Sequence, residues 1–213
     1  MGKNDGLRSR ELLLQRRSLN RSFLREGRSV LSLEASVPEL PGAVLMNAYY
    51  RKLYHRLLSY CEHELIPALP EDSPSLCLSL DYRVTLMTPA LLSVNVELQR
   101  KDLRRLPAAR FAAVWSRSSG FPLPLRAFFP KAPVRGLRDW LRAQALERLR
   151  SGYCLYDPQQ ADRAGKLFSP RNFYAVEKGL ILFYPPLTLG SAAEGIPEFC
   201  LPWNEAGPRL PQN

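Results

Sequence analysis

Polar and apolar residues alternate along three stretches of the chain, and the alternation predicts β-strands. The stretches are residues 29–37 (SVLSLEASV), 76–86 (LCLSLDYRVTL) and 91–98 (LLSVNVEL). Side chains of a strand point alternately to its two faces, so each stretch has one apolar face for a core and one polar face for solvent. Only residues 87–90 separate the last two stretches, which predicts a hairpin. The same reasoning predicts strands at 109–116 and 197–203 and a hairpin at 172–184.

Apolar residues that recur at three- and four-residue steps predict two main helices, at 43–66 and 134–150. The apolar stripe of the first helix includes Leu53 and Leu57, and that of the second includes Trp140. A sheet with one apolar face needs a cover. We therefore expect these three side chains to be buried against strand residues such as Leu78, Leu80 and Val96.

The pattern of residues 7–27 predicts a third helix, which is basic. Leucines and a phenylalanine form a loose apolar stripe among arginines, and Gly27 could end the helix. Strands and helices then occur in blocks without regular alternation, which indicates an α+β fold. We expect an antiparallel sheet covered on one face by the two main helices, with an extra N-terminal basic helix. The predicted organisation is a basic helix at 1–28, the α+β domain at 29–203 and a flexible tail at 204–213.

An excess of basic residues bears on the expected partners, because 30 Lys and Arg against 20 Asp and Glu give a net charge of +10. A field of this sign favours an anionic partner such as a cell-wall polymer, a nucleic acid or an acidic protein. Solvated surface charge explains the same excess without any partner, and this interpretation is preferred. If an anion binds, the two densest basic clusters are the candidates: Arg16, Arg17, Arg21, Arg25, Arg100, Lys101, Arg104 and Arg105.

Patterns for catalysis and metal binding are missing from the sequence. The two histidines, His55 and His63, lie too far apart on the predicted helix to chelate one metal ion as an i, i+4 pair could. No nucleophile-elbow, dinucleotide-binding or P-loop motif occurs. Asp81 and Glu97 could form a carboxylate pair on adjacent strands, but we expect them to be solvated or matched to Arg83. The sequence therefore predicts a protein that is not an enzyme and has no cofactor.

The cysteines and the apolar runs bear on the compartment. None of the four cysteines has a CxxC spacing, which excludes the usual zinc-ribbon and thioredoxin patterns. Buried free thiols are the default, and two disulfides are the alternative. A run of about 18 apolar residues, as a membrane helix needs, does not occur. The N-terminus lacks the apolar region of a secretory signal, so the predicted location is cytoplasmic, or the cell surface if a leader was removed.

The C-terminal part of the chain carries the most specific sequence pattern, in residues 172–174, 179–186 and 192–199. Together with 119–129 and 47–50, these segments resemble the RsiV-like domain of unknown function. That domain occurs in the extracellular part of the anti-sigma factor RsiV and ahead of some bacterial cell-wall polysaccharide deacetylases.

The resemblance extends over roughly residues 29–203, with one departure. Many members have a glycine-rich segment with a histidine between the middle strands, whereas residues 99–107 of this chain contain neither residue type. A function that depends on that loop is therefore not implied here.

Two functional hypotheses follow. The resemblance implies a bacterial non-catalytic binding or structural domain, and some relatives recognise an extracellular protein such as lysozyme. Lysozymes of that type are strongly cationic, as this chain is, so we expect no tight lysozyme binding. The second hypothesis is a cytoplasmic nucleic-acid or anionic-surface binder that uses the basic helix at 7–27 and the loop at 99–110. Binding of this kind weakens steeply with salt, because it depends on counterion release.

Overall fold

The computed structural model describes residues 14–101, 107–129, 135–204 and 208–211. Eight strands and five α-helices follow one another in these ranges, together with short π and 3-10 turns. In chain order they are β1 Gln15–Arg25, β2 Arg28–Glu39, α1 Val44–Tyr60, a π turn Cys61–Leu65, α2 Ile66–Ala68, β3 Leu76–Met87, β4 Leu91–Arg100, β5 Pro107–Ser116, a 3-10 turn Leu125–Phe128, α3 Arg135–Arg150, α4 Pro158–Asp162, α5 Ala164–Leu167, β6 Phe173–Val176, β7 Gly179–Phe183, a 3-10 turn Ala192–Glu194 and β8 Glu198–Pro202.

The strands form two sheets, one with the order β1-β2-β3-β4-β5 and the other with the order β6-β7-β8. All neighbouring strands are antiparallel except β2 and β3, which are parallel. The expectation of a wholly antiparallel sheet is therefore wrong at this pair. Parallel neighbours need a long crossover connection, and α1 supplies it by leaving one end of β2 and returning the chain to the other end of the sheet. The α+β class is confirmed.

The first core lies between α1 and one face of the five-stranded sheet. Leu57 of α1 is buried there with Leu80 of β3 and Val96 of β4, as the hydrophobic periodicity predicts. Leu53 is half-buried and packs against the same cluster. The indole of Trp115 lies in this core and donates a hydrogen bond to the Tyr50 hydroxyl (3.1 Å), so neither polar group is buried without a partner.

The second core lies on the opposite face of the same sheet. Leu92 of β4 belongs to the first core and its neighbour Leu91 to the second, as expected for successive residues of a strand. The small sheet docks on this face through Ala175 of β6, whose amide donates to Ser93 Oγ (2.9 Å) and whose carbonyl accepts from Thr85 Oγ1 (2.8 Å). Trp140 of α3 is half-buried in this second core.

The prediction that both main helices cover one face of one sheet is therefore wrong. Helix α3 belongs to the second core, and Trp140 does not join Leu57 in the first. An apolar stripe on a helix shows that the helix needs a partner surface, but it does not show which of two available surfaces will be used. Residues 208–211 return to the second core, where the Arg209 amide donates to the Phe128 carbonyl (2.8 Å).

The predicted basic N-terminal helix is also wrong, because Gln15–Arg25 is an edge strand that pairs with β2 along its whole length. Residues 1–13 lie outside the described part of the chain. Glu26 (φ 51°) and Gly27 (φ 79°) form the two-residue connection, and positive φ at both positions is typical of a type I′ hairpin turn. The glycine that was expected to end a helix instead closes a hairpin. Leu19 and Phe23 face inward with the period of a strand.

The remaining predicted elements are confirmed within a few residues at their ends. The helix at 43–66 corresponds to α1 with the π turn and α2, and the helix at 134–150 to α3. The strands at 29–37, 76–86, 91–98, 109–116 and 197–203 and the hairpin at 172–184 correspond to β2, β3, β4, β5, β8 and the β6–β7 pair.

Candidate functional site

A polar groove of about 530 Å³ occupies the part of the large sheet that the small sheet leaves uncovered. It lies on the face opposite α1, beside the point where Ala175 docks on Ser93. The pairing of β2 with β3 runs only from Leu31 and Leu76 to Ala35 and Leu80, although both strands continue beyond it. The polar residues that line the groove come from β1 to β4 and the residue after β4: Arg16, Ser18, Asn20, Glu34, Ser36, Ser79, Asp81, Arg83, Asn95, Glu97, Gln99 and Lys101.

The alternation of the strands explains the polarity of this groove. Leu78 and Leu80 of β3 point into the first core, and therefore Ser79 and Asp81 point to the other face. The same holds in β4 for Val94 against Asn95. A sheet face that is left without an apolar cover keeps polar side chains, and here four adjacent strands contribute them.

Two surface ion pairs bridge different strands along the groove. Arg16 of β1 contacts Asp81 of β3 (2.9 Å), and Lys101 contacts Glu34 of β2 (2.5 Å). The hydrogen bond and the positive charge of Lys101 lower the pKa of the Glu34 carboxyl. The same hydrogen bond raises the pKa of Lys101. The acidic and basic groups of the groove thus largely neutralise one another.

A buried guanidinium closes the end of the groove that faces the small sheet. The side chain of Arg110 is 8% exposed and donates to Glu97 Oε1 from Nε (3.0 Å) and Nη2 (2.7 Å). Its Nη1 contacts Glu198 of β8, which also accepts a hydrogen bond from the Tyr174 hydroxyl (3.1 Å). The guanidinium carbon lies 5.5 Å from the centre of the Phe183 ring. This network ties the groove to the small sheet.

Asn95 is the least conventional group in the groove. It is 1% exposed, and its Nδ2 donates to Glu97 Oε1 (3.1 Å). A carboxylate only accepts hydrogen bonds, so this contact fixes the amide with its oxygen turned away. Oδ1 has no hydrogen-bond partner within the described part of the chain. A buried acceptor without a partner is costly, and such atoms are rare in folded proteins. Asn95 also lines the groove, and its side chain is therefore a candidate partner for a hydrogen-bond donor there.

The predicted anion-binding residues do not form one basic patch in the described structure. Arg16 pairs with Asp81 and lies over the Tyr82 ring (5.4 Å), and Arg17 pairs with Glu39 (3.1 Å).

Four more of the predicted residues lie in the described part of the chain and have other surroundings. Arg25 donates to the carbonyls of Ile66 (2.5 Å) and Leu69 (3.2 Å), where it satisfies acceptors at a helix end. Arg21 is exposed and without an ion pair to any described residue. Arg100 also has an interaction partner, as does Lys101 in its pair with Glu34. Arg104 and Arg105 lie outside the described residues.

The carboxylates considered from the sequence are neighbours, because Asp81 is paired in register with Glu97 across β3 and β4. Each is engaged by a guanidinium, which is Arg16 for Asp81 and Arg110 for Glu97, and not by the expected Arg83. Sequence reasoning missed Asn95 and Arg110. A polar residue inside an apolar strand, as in Val-Asn-Val of β4, is the signal that could have indicated Asn95.

Metal and disulfide chemistry finds little support in the described residues. They contain no cluster of three His, Cys, Asp or Glu side chains that could hold a metal ion. All four cysteines are free and not paired in disulfides, but only Cys61 is buried as predicted, and the other three are half-buried. Cys61 is buried at the start of the π turn, and burial raises the pKa of its thiol to about 11. None of the described helices combines the length and apolar character needed to cross a membrane.

Comparison with known proteins finds a family match in the C-terminal part of this chain. Residues 130–204 match the family "Protein of unknown function (DUF3298)". The match includes the small sheet with α3 and the segments 172–174, 179–186 and 192–199. It does not include β1 to β5, which supply the groove.

Two crystal structures of DUF3298 proteins share the fold over most of the chain. One is from Pseudomonas aeruginosa PAO1, with a TM-score of 0.57 and 13% sequence identity. The other is from Bacteroides fragilis NCTC 9343, with a TM-score of 0.57 and 18% identity. Each alignment covers 90% of this chain and 90% of the other chain. Among curated proteins, none is significantly similar to this chain.

Proposed function

We propose that this protein is a non-catalytic binding domain that holds an uncharged, hydroxyl-rich ligand, such as a segment of a glycan, in the polar groove. The observation that carries the proposal is Asn95, which lines the groove and whose buried Oδ1 has no partner among the described residues. A ligand hydroxyl or amide N–H supplies the missing donor. Serine, asparagine and glutamine side chains along the groove provide further donors and acceptors.

The charges of the groove favour a neutral ligand over a charged one. Arg16 and Lys101 already have carboxylate partners, and Glu97 is engaged by Arg110. To pair with Arg16 or Lys101, an anionic ligand would have to displace these carboxylates, whereas a neutral hydroxyl can bind beside them without separating an ion pair. The same ion pairs support a role without catalysis, because Glu34, Asp81 and Glu97 are each held by a cation and not left free to act as an acid or base.

We also propose that this domain is of the RsiV-like type. This assignment rests on the sequence pattern inside the DUF3298 match. Strong binding of cationic lysozyme is not expected, since the groove offers three acidic side chains against three basic ones and the whole chain is at +10. Isothermal titration calorimetry at moderate salt tests this. A sub-micromolar dissociation constant would contradict it.

The proposal is tested by titrating ¹⁵N-labelled protein with chitohexaose and cellohexaose as neutral probes and a polyglutamate peptide as the anionic probe. We expect a neutral probe to shift the amide resonances of Ser36, Ser79 and Asn95. Ser79→Trp should abolish those shifts, because the indole fills the groove. Ser118→Trp is the matched control, since Ser118 is exposed in a turn outside the groove. Identical shifts in wild type and Ser79→Trp would refute the site.

The alternative, a cytoplasmic binder of nucleic acid or anionic surfaces, stays a prediction motivated by the net charge of +10. Its proposed N-terminal element is a strand over Gln15–Arg25, in which Arg16 and Arg17 already have carboxylate partners. Mixing with RNA and with anionic vesicles at two salt concentrations tests it, because phosphate-driven binding must weaken as salt rises.

A further inference from the structure

A second surface lies on the other side of the large sheet, between α1 and the edge strand β5. It is an apolar notch of about 230 Å³, lined by Tyr49, Leu53 and Leu57 of α1 and by Phe111 of β5. Lys52 and Arg56 complete its lining, and both are exposed. We name this surface the α1–β5 notch. The notch lies on the face of the large sheet that α1 covers. The polar groove lies on the opposite face, so the two surfaces are separate.

The backbone of β5 has unpaired groups beside this notch. Near the end of the strand, the Val114 carbonyl accepts from the Leu123 amide (2.7 Å) and the Ser116 amide donates to the Phe121 carbonyl (2.9 Å). These groups point away from β4. In an antiparallel strand every second residue points the same way, so the N–H and C=O groups of Arg110 and Ala112 do so too. No backbone group of the described residues pairs with them.

The two edges of the large sheet differ in their protection. The β1 edge carries four arginines, and charged side chains on an edge discourage pairing with another chain. In β5, residues 109–113 are three alanines, Phe111 and Arg110, whose charge is turned inward to Glu97. Among the described residues, Arg110 and Ala112 thus have no strand paired on this side of β5, and the side chains of 109–113 present no unpaired charge there.

The charge around the notch indicates the kind of partner. Lys52 and Arg56 form no ion pair with any described residue, and Arg51 on the same exposed part of α1 contacts only the Asn47 carbonyl. Three cations in six residues without acidic partners favour an anionic ligand. An apolar floor beneath a cationic rim suits a segment that combines an apolar anchor with acidic residues.

We propose that an extended acidic segment of another protein adds to β5 as a sixth strand and inserts one large apolar side chain into the α1–β5 notch. Added strands lie about 4.8 Å from their neighbour, which places alternate side chains beside Phe111. Main-chain hydrogen bonds to Arg110 and Ala112 provide the affinity of such strand addition, and the notch selects the anchor. Lys52 and Arg56 select acidic residues two positions before and after the anchor, because those side chains lie on the same face of the added strand.

The test uses a fluorescein-labelled seven-residue peptide with a central leucine, a glutamate two positions to either side of it and valine elsewhere, measured by fluorescence anisotropy at low salt. We expect saturable binding that weakens about tenfold or more in Lys52→Glu/Arg56→Glu. Arg163→Glu/Arg171→Glu is the charge-matched control, since both residues are exposed and outside the notch, and it should leave most of the affinity. Equal loss in both double variants would refute the notch as the site.

Peptide N-methylation tests strand addition without any change to the protein. Methyl groups on the amides that face β5 should abolish binding, whereas methyl groups on the alternate amides should leave it intact. Equal binding of both peptides would overturn strand addition. A free protein that sediments as a dimer and loses dimerisation on Ala112→Pro would also overturn the proposal, because the edge would then serve a second copy of this chain.

Discussion

The buried Arg110 is the side chain whose removal should reveal how strongly the two sheets depend on each other. It contacts Glu97 of the large sheet and Glu198 of the small sheet, and Arg110→Met would leave both carboxylates without this cation. Methionine keeps much of the packing volume against the rings of Tyr174 and Phe183. The variant therefore removes mainly the charge and its hydrogen bonds.

The magnitude follows from the burial of the three groups. Breaking a buried ion pair from one side costs about 3–5 kcal/mol, because a charge is left without compensation. Glu97 and Glu198 keep side-chain exposures of 24% and 37%, so water recovers part of this cost. We therefore expect the free energy of unfolding to fall by about 3 kcal/mol near neutral pH, or about 6–12 °C in melting temperature for a chain of this size.

Urea denaturation followed by circular dichroism measures this loss. Arg142→Met is the matched control, because Arg142 pairs with Asp162 (2.5 Å) at the surface, with both side chains 55% exposed. Exposed pairs contribute about 0–1 kcal/mol, so this control should change stability little. A loss below about 1 kcal/mol for Arg110→Met, or equal losses in the two variants, would refute the reasoning. Adding Glu97→Gln to Arg110→Met should recover part of the loss, since one uncompensated charge disappears.

Three further predictions concern the core, a close backbone contact and the groove. Leu57→Asp should unfold the domain, because it places an unpaired charge in the first core. The expected loss of more than about 4 kcal/mol is close to the whole stability of a typical domain, so thermal melts should show no cooperative transition. A normal thermal transition would contradict this. Gly179→Ala should destabilise the β7–β8 pair, since a Cβ there would lie 2.2 Å from the Leu201 carbonyl oxygen. In the same thermal melts, Gly136→Ala should be neutral or slightly stabilising, because a Cβ at Gly136 would have no heavy atom within 4 Å. Lys101→Ala should raise the pKa of Glu34 toward its ordinary value. In the wild type, the stabilisation from this ion pair is lost as pH falls through the lowered pKa of Glu34, and the variant should lack that stabilisation at every pH. ¹³C NMR titration of the Glu34 carboxyl tests this, and an unchanged pKa would contradict it.

Much of the architecture was predictable from local pattern alone. Period-two alternation predicted β2, β3 and β4, and apolar steps of three and four predicted α1 and α3, because each element buries one face whatever its partner is. The α+β class follows from the order of these elements. The exception is β1, where arginines between apolar residues satisfied a loose helical stripe as well as strand alternation. Pairing with β2 along the entire strand decided between them.

The tertiary structure decided what lies opposite each face. The described strands form two sheets, and the periodicity of α3 could not reveal that Trp140 packs in the second core. The polar groove likewise exists because the small sheet covers Ser93 and leaves Asp81, whose side chain is 58% exposed, uncovered. Arg110 looks like one more basic residue in the sequence, and only the approach of Glu198 from a distant strand makes it a buried link. Such contacts join residues far apart in the chain, and local hydrophobic periodicity carries no information about them.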